Sequence, residues 1–497
     1  VSRNMLSMLT ASILDDIQSK TYNGDYDALR WYYGYSFLLF TITNQKNSNK
    51  YDYLKEYIFT KIDDTDISNA SFHWEFNKYA LSFINDDIVK KPCLKKIRES
   101  EKYNDSKATN WILLNTVCKL RRGEIKKLPL KLFAYLKFRQ DRDGFIWDAR
   151  KVRSSQYHAF SSFLLYEIYK ITGSKNIERR FFKSVRITAL LTLNSGEFNY
   201  LGRGQFQTFG YGPAFYSLYA AYKETGDEEY KRAANLILSV ISSNIENDHI
   251  PLVLNECSRF TTSNYEFDSL NHIGWYPYNN FIDYSFFLLY FLDRAKDELG
   301  DVSLNNISRE HILREHYLKS SGLRIVEKTN YSAVFGSVKG FITNGLPIPY
   351  LESRGRRCTP VLGGEQFTKS LYKSNMISLP LDRKKKPPSN SFFFNSNSLI
   401  LYSWAGLDIY RYKITNSCIS ILISSLRLFK PSYHISLFGK VVINNGVTKV
   451  EYENMVVYLY ADILSINRGY SASGVFNVIQ LTSKKTPIKI DFKFFKK

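Results

Sequence analysis

Residues 157–176, YHAFSSFLLYEIYKITGSKN, and residues 207–229, QTFGYGPAFYSLYAAYKETGDEE, decide the fold. In the first, Phe160, Phe163, Leu164 and Ile168 recur at helical spacing and make one face apolar. Both stretches then break at a Thr-Gly pair, Thr172-Gly173 and Thr225-Gly226, followed by residues suited to opening another helix. Two joins of the form helix, TGS or TGD, helix predict a repeated αα-hairpin. Segments 26–44, 72–86, 109–121, 178–193, 228–243 and 280–299 carry the same helical patterning. A stack of such hairpins buries its core between an inner and an outer ring of helices.

After about residue 325 the texture changes to short, alternating, β-branched runs such as YSAVFGSVKGFIT, SCISILISSLRL and NMVVYLYADILSI. Asn444, Asn445 and Gly446 between two apolar runs predict a hairpin turn. The expected architecture is multidomain α and β, an N-terminal incomplete (α/α) toroid followed by a C-terminal antiparallel β-sandwich. The toroid is placed at residues 1–300, a helical or irregular linker at 301–325, and the sandwich at 326–497. The basic run RKKKPPSNS at 383–391 reads as an exposed loop.

Lys plus Arg number 68 against 47 Asp plus Glu, a net charge of +21, which attracts a polyanion and is expected to gather near a cleft. The 37 tyrosines suit both sugar faces and nucleic acid bases. A P-loop, a dinucleotide fingerprint and RNA-binding motifs are absent from the sequence, so nucleic acid is not the expected partner. The five cysteines are scattered and form no CxxC pair, which argues against a disulfide framework or a zinc site. No cofactor and no metal are expected. No apolar run is long enough for a transmembrane segment. The first residues, with Asp15 and Asp16, do not read as a signal peptide.

Five polar stretches at the ends of the helical segments are candidates for chemistry. The first holds His73, Trp74, Glu75 and Asn77, and the second Asn110 and Trp111. The third holds Asp148, Arg150, Arg153, Gln156, Tyr157 and His158. The fourth, YLGRGQFQTFGYG, holds Arg203 between two glycines, then Gln205, Gln207 and Tyr211. The fifth holds Asn271, His272, Trp275, Tyr276, Tyr278, Asn279 and Asn280. Glycines flanking Arg203 allow close backbone approach, and a guanidinium there can fork onto a carboxylate. Either Tyr157 or His158 could be packing at the start of an apolar helix, and Cys118 and Cys257 read as inert.

These stretches resemble the α/α-toroid polysaccharide lyases, the hyaluronate, chondroitin, alginate and heparin lyase group. Asn110-Trp111, then Asp143-Gly144-Phe145 leading to Tyr157, then Gly202-Arg203-Gly204 follow the order of that group's motifs. The group's histidine falls near Asp148 or Ala149, where this chain has none, so His158 or His272 is left to supply an imidazole. The resemblance implies β-elimination on an anionic, uronate-containing polysaccharide and favours a secreted or periplasmic location. It implies that Arg203 and Asn110 hold the substrate carboxylate, and that Tyr157 moves the proton with cations such as Arg150 and Arg153 nearby. His73, Trp74, Trp111, Asp148, Arg150, Gln205, Gln207, Tyr211, Trp275, Tyr276, Tyr278 and Asn279 are then expected to line the substrate. A glycoside hydrolase using Asp148, Glu75 or Glu256, a uronate epimerase, and a non-catalytic acidic-glycan binder are the alternatives. The sequence leaves the oligomeric state open.

Overall fold

The apolar face read at 157–172 becomes a helix, Ser155–Thr172, buried from Ser155 to Ile168. Ser154 caps its start and Gly173 closes it in the left-handed conformation, as Gly226 closes Thr208–Thr225. The structure is a computed structural model. It describes residues 3–22, 34–43, 48–63, 74–84, 108–148, 153–202, 204–245, 250, 254, 281–299, 312–336, 346–360, 377–378, 390–403, 406–427, 432–444, 447–471, 474–482 and 487–495.

Within these residues the helices are α1 (Arg3–Tyr22), α2 (Gly34–Thr43), α3 (Asp52–Asp63), α4 (Trp74–Leu81), α5 (Thr109–Arg121) and α6 (Leu130–Arg139). They continue with α7 (Ser155–Thr172), α8 (Lys175–Leu191), α9 (Thr208–Thr225), α10 (Glu228–Ser243) and α11 (Phe281–Leu299). Helices α2, α4, α5, α7, α9 and α11 pack on one another in succession, and α11 also packs on α2. This inner ring is therefore closed, where an incomplete one was expected. Outside it, α8 lies on α7 and α9, α10 on α9, α3 on α2, and α1 on α11 and α3.

The inner helices run the same way, because their early turns meet one another. Phe76 of α4 touches Trp111 of α5 (5.1 Å) and stacks on Phe160 of α7 (5.3 Å). Phe160 meets Phe209 of α9 at 5.6 Å, Phe209 stacks on Phe287 of α11 at 4.4 Å, and Phe287 meets Phe37 of α2 at 5.1 Å. Each such buried phenylalanine contributes about 1.5–3 kcal/mol. Further along the helices the ring is pinned by a buried charge cluster. Arg294 of α11 donates to Glu167 of α7 at 3.0 Å and to the hydroxyls of Tyr79 and Tyr290 at 2.9 and 3.0 Å. Arg121 of α5 donates to the other oxygen of Glu167 at 2.6 Å. Burial alone would raise the Glu167 carboxyl, but the two guanidiniums outweigh it and hold it below its usual range.

The β-rich part forms three sheets whose strand pairs are antiparallel among the described residues. A five-stranded sheet contains β1 (Arg314–Leu318), β2 (Leu323–Glu327), β3 (Tyr331–Gly336), β4 (Tyr350–Ser353) and β5 (Arg356–Arg357). Residues 314–325, expected as a helical or irregular linker, are thus β1, a four-residue turn and the first three residues of β2. A four-stranded sheet orders β15 (Asp462–Ser471), β16 (Gly474–Thr482), β11 (Ser432–Leu437) and β6 (Ile377–Ser378). An eight-stranded sheet orders β12 (Lys440–Asn444), β13 (Val447–Tyr452), β14 (Met455–Tyr460), β17 (Ile488–Phe494), β10 (Cys418–Arg427), β9 (Gly406–Ile414), β8 (Ser398–Ser403) and β7 (Asn390–Asn395). Asn444 pairs with Val447, the register a two-residue hairpin at Asn445 and Gly446 requires. The loop expected at 383–391 lies outside the described residues except at its last two positions, which begin β7.

Two apolar cores follow from this arrangement. Leu318, Leu323, Ile325, Val334 and Tyr350 belong to the core of the helical ring. Val326, Tyr331, Ala333, Phe335 and Leu351 belong to a second core shared with the other two sheets. Successive strand residues point to opposite faces, so the five-stranded sheet gives one face to each core.

Candidate functional site

The early turns of the inner helices gather polar side chains that have been taken out of water. Asn110 lies in the first turn of α5, Gln156 and Tyr157 in that of α7, Glu75 in that of α4, and Gln207 caps α9. All five are buried. Asn110 Oδ1, Gln156 Oε1, Glu75 Oε2 and both amide atoms of Gln207 have no hydrogen-bond partner among the described residues. Leaving such a group unpaired costs about 1–3 kcal/mol, so a run of them at one end of a ring marks a place built for something else. The amino-terminal end of each helix adds partial positive charge there.

The turn before α9 is fitted tightly against the start of α7. Gly202 and Gly204, which flank Arg203, have φ of +71° and +76°, a left-handed region that side chains rarely adopt. A Cβ on Gly204 would sit 2.5 Å from the Gln156 amide, and one on Gly202 would meet the Arg153 carbonyl. The Leu201 carbonyl accepts from the Ser155 N–H at 3.0 Å, and the Asn199 amide donates to the carbonyls of Gly204 (2.8 Å) and Gln207 (3.2 Å). The backbone on both sides of Arg203 therefore lies against the turn that carries Gln156 and Tyr157.

Of the sequence candidates, the structure brings Asn110, Trp111, Tyr157 and Gln207 to this end of the ring. Trp111 is half-buried against Phe76, and the Tyr157 ring is 5.9 Å from that of Phe209. Gln205 is buried in the same turn as Gln207. Asp148 is buried beside α5, its carbonyl accepting from the Thr109 N–H at 2.9 Å. Trp74 opens α4, with its side chain outside the described residues. His73, Arg150, Arg203, His272, Trp275, Tyr276, Tyr278 and Asn279 also lie outside them.

Two candidates are corrected. His158 is fully buried: its Nδ1 accepts from the Ile146 N–H at 3.0 Å, its Nε2 faces the Ser184 carbonyl at 3.1 Å, and its ring stacks on Phe145 at 4.5 Å. Burial pushes its pKa down to about 3, against a smaller opposing effect of the Ser184 carbonyl. A neutral imidazole with both nitrogens bound to backbone is a core pin and not a base. Tyr211 is also fully buried, and its hydroxyl is spent on Glu197 Oε2 at 2.7 Å, so it is a packed residue of the interior.

That contact exposes a polar cluster the sequence reading missed. Glu197 is buried among Tyr211, Arg357 and Glu352, and burial pushes its carboxyl up to about 7 despite the nearby Arg357. Arg357, from β5, places its guanidinium 3.6 Å from the centre of the Phe206 ring, and Phe206 itself holds φ of +61°. Its Nε and Nη1 are buried without a partner among the described residues. The Arg354-Gly355-Arg356-Arg357 run was the available signal. Among the described residues no group of three or more His, Cys, Asp or Glu could hold a metal ion, and no helix is long and apolar enough to cross a membrane.

A ring of paired helices followed by antiparallel sheets is the architecture of the α/α-toroid lyases, and the chain resembles them in structure. Chondroitin AC lyase from Streptomyces coelicolor, solved with chondroitin sulphate, is similar over 93% of this chain and 74% of its own, at 10% identity and a TM-score of 0.53. A heparan sulfate lyase from Pedobacter heparinus matches 93% of this chain and 75% of its own, at 9% identity and a TM-score of 0.33. A cellobiose 2-epimerase from Bacillus thermoamylovorans matches 45% and 71%, at 12% identity and a TM-score of 0.34. At such identities the likeness to the chondroitin lyase speaks to fold alone. No protein-family model matches the chain, and no curated protein matches its sequence.

Proposed function

We propose that this protein is a polysaccharide lyase that cleaves an acidic, uronate-containing polysaccharide by β-elimination, outside the cytoplasm. The observation that carries the reading is the run of buried amide oxygens at Asn110, Gln156 and Gln207 with no hydrogen-bond partner among the described residues, beside Tyr157 and the Arg203 turn. Amides offer both donors and acceptors, which suits sugar hydroxyls and a carboxylate better than it suits a packed core. Asn110 and Arg203 would neutralise the uronate carboxylate, which makes the C5 proton acid enough to remove. Once Tyr157 has given up its own proton, its phenolate oxygen takes the C5 proton, and the C5–H electron pair becomes the C4–C5 double bond. The C4–O bond breaks with its electrons on the glycosidic oxygen, which leaves with a proton returned by Tyr157. The antiparallel sheets are read as packed into a sandwich that backs this end of the ring.

A second reading, glycoside hydrolysis, draws on Glu75 and Asp148, two buried carboxylates at the same end of the ring. Glu75 spends one oxygen on Lys78 at 3.2 Å, which disfavours it as a free acid. Incubation with chondroitin sulfate, hyaluronan, alginate, heparan sulfate and polygalacturonate separates the two. A lyase product carries an unsaturated uronate that absorbs in the ultraviolet, and Tyr157→Phe should lower its formation by about 10²–10⁴-fold. New reducing ends without that absorbance would replace the lyase reading by the hydrolase one.

A further inference from the structure

The excess positive charge is unevenly divided along the chain. Residues 326–497 hold 24 Lys plus Arg against 9 Asp plus Glu, a net of +15 out of the total of +21, so residues 1–325 hold only +6. Part of this charge is laid out on the outer face of the eight-stranded sheet. The inward residues of its central strands, among them Tyr412, Ile421, Ile490 and Leu459, are in the second core. Their neighbours on the other face include the exposed Arg411, Lys413, Lys489, Lys493 and Tyr460. Register then fixes what shares that face: Arg411 pairs with Leu422, Leu422 with Lys489, and Lys489 with Tyr460. In the next row outward-facing Lys413 pairs with Ser420, Ser420 with Asp491, and Asp491 with Tyr458.

Each row carries a cation on β9 and ends in a tyrosine on β14. The Lys489 ammonium lies 5.2 Å from the Tyr460 ring and that of Lys493 lies 4.7 Å from the Tyr458 ring, which holds both charges close to the sheet. Lys489 is neutralised by Asp491 at 2.8 Å and Lys449 by Glu451 at 2.6 Å. Arg411, Lys413 and Lys493 are exposed and form no ion pair among the described residues. Neighbouring strands lie about 4.8 Å apart, so Lys489 and Arg411, two strands from each other, stand roughly 10 Å apart.

We infer that the outer face of β14, β17, β10 and β9 is a second, non-catalytic binding surface for an acidic polysaccharide. The Tyr458 and Tyr460 rings offer sugar rings an apolar surface, and Arg411, Lys413 and Lys493, which form no ion pair among the described residues, offer carboxylates or sulfates a counter-charge. The choice of polysaccharide over another polyanion rests on the proposed function of the helical ring. A chain held at both places is bound with avidity, since the second contact forms at a high effective concentration.

The test uses the full chain in a Tyr157→Phe background, so that the probe is not consumed, with and without Arg411→Gln, Lys413→Gln and Lys493→Gln together. Binding to long chondroitin sulfate and alginate chains, and to tetrasaccharides of each, is followed by affinity electrophoresis and calorimetry. The triple substitution should weaken binding of a long chain by about 10–100-fold and flatten its salt dependence, leaving tetrasaccharide affinity at the ring unchanged. Tyr458→Ala with Tyr460→Ala should weaken it as well. Long-chain binding that survives the triple substitution overturns the inference, whatever the protein catalyses. Loss of long-chain binding in the triple variant, with no elimination by the parent protein on any polymer, leaves this surface standing and removes the lyase. Tighter binding of a single-stranded oligonucleotide than of either polysaccharide, lost in the same variant, would assign the face to nucleic acid and overturn the inference.

Discussion

Replacing Glu197 by Gln should make the protein less sensitive to alkaline pH. Burial pushes this carboxyl from 4.5 up to about 7, so the folded state holds its proton more tightly than the unfolded chain does. A group raised in this way contributes stability that is fully present below about pH 4.5 and is lost as pH rises through about 7. At about 1.4 kcal/mol for each tenfold change in proton affinity, the loss amounts to about 3 kcal/mol. Glu197→Gln keeps an acceptor for the Tyr211 hydroxyl and cannot ionise. The variant should match the parent near pH 4.5 and exceed it by about 3 kcal/mol above pH 8, or roughly 3–5 °C in unfolding temperature for a unit of this size. Differential scanning fluorimetry across that range, with the parent measured in parallel, cancels the other titrating groups. Asp293, pushed by burial to about 7 as well, needs its own Asp293→Asn control. A difference between Glu197→Gln and parent that stays flat with pH would refute the account of the buried cluster.

Glu167→Ala strips Arg294 and Arg121 of a shared partner and should destabilise the helical ring by about 3–5 kcal/mol, measured by urea unfolding. Because the Glu167 carboxyl is held low, its contribution should be present near neutrality and fade as pH falls through its folded value. His158→Ala leaves the Ile146 N–H and the Ser184 carbonyl unpaired beside a cavity and should cost about 2–4 kcal/mol. The folded fraction should turn over substrate at the parental rate, and a rate loss with unchanged stability would return His158 to the chemistry. Gly204→Ala places a Cβ against Gln156 in a left-handed conformation, so KM should rise severalfold in steady-state kinetics while the unfolding free energy falls by no more than about 1–3 kcal/mol.

The ring was legible where the chain punctuates itself, as at Gly173 and Gly226, and the sheets where alternation is clean. Helix α6 was missed because Leu130 and Phe138 are 85% and 75% exposed, which blurs its apolar face. The candidate site was legible as a set of polar turns, since helix starts must be capped wherever they converge. Which neighbour points inward was not. Tyr157 and His158 differ by about 100° around one helix, and only the docking of α8 at Ser184 shows that the histidine is the core residue. Arg357 and Glu197 escaped notice because a pair buried together from a two-residue strand and a turn has no local periodicity.

The five-stranded sheet has no outside: each face is the wall of a different core. A protease or a cloning scheme that separates the chain at residue 300 would uncover Leu318, Leu323, Ile325, Val334 and Tyr350 on the carboxy-terminal fragment, and on the other the ring surface that covers them, Tyr200 included. Either fragment would then present a contiguous apolar patch to water and would be prone to aggregate. The helical ring is best dissected with β1 through β5 left attached, which makes this sheet part of both halves of the molecule.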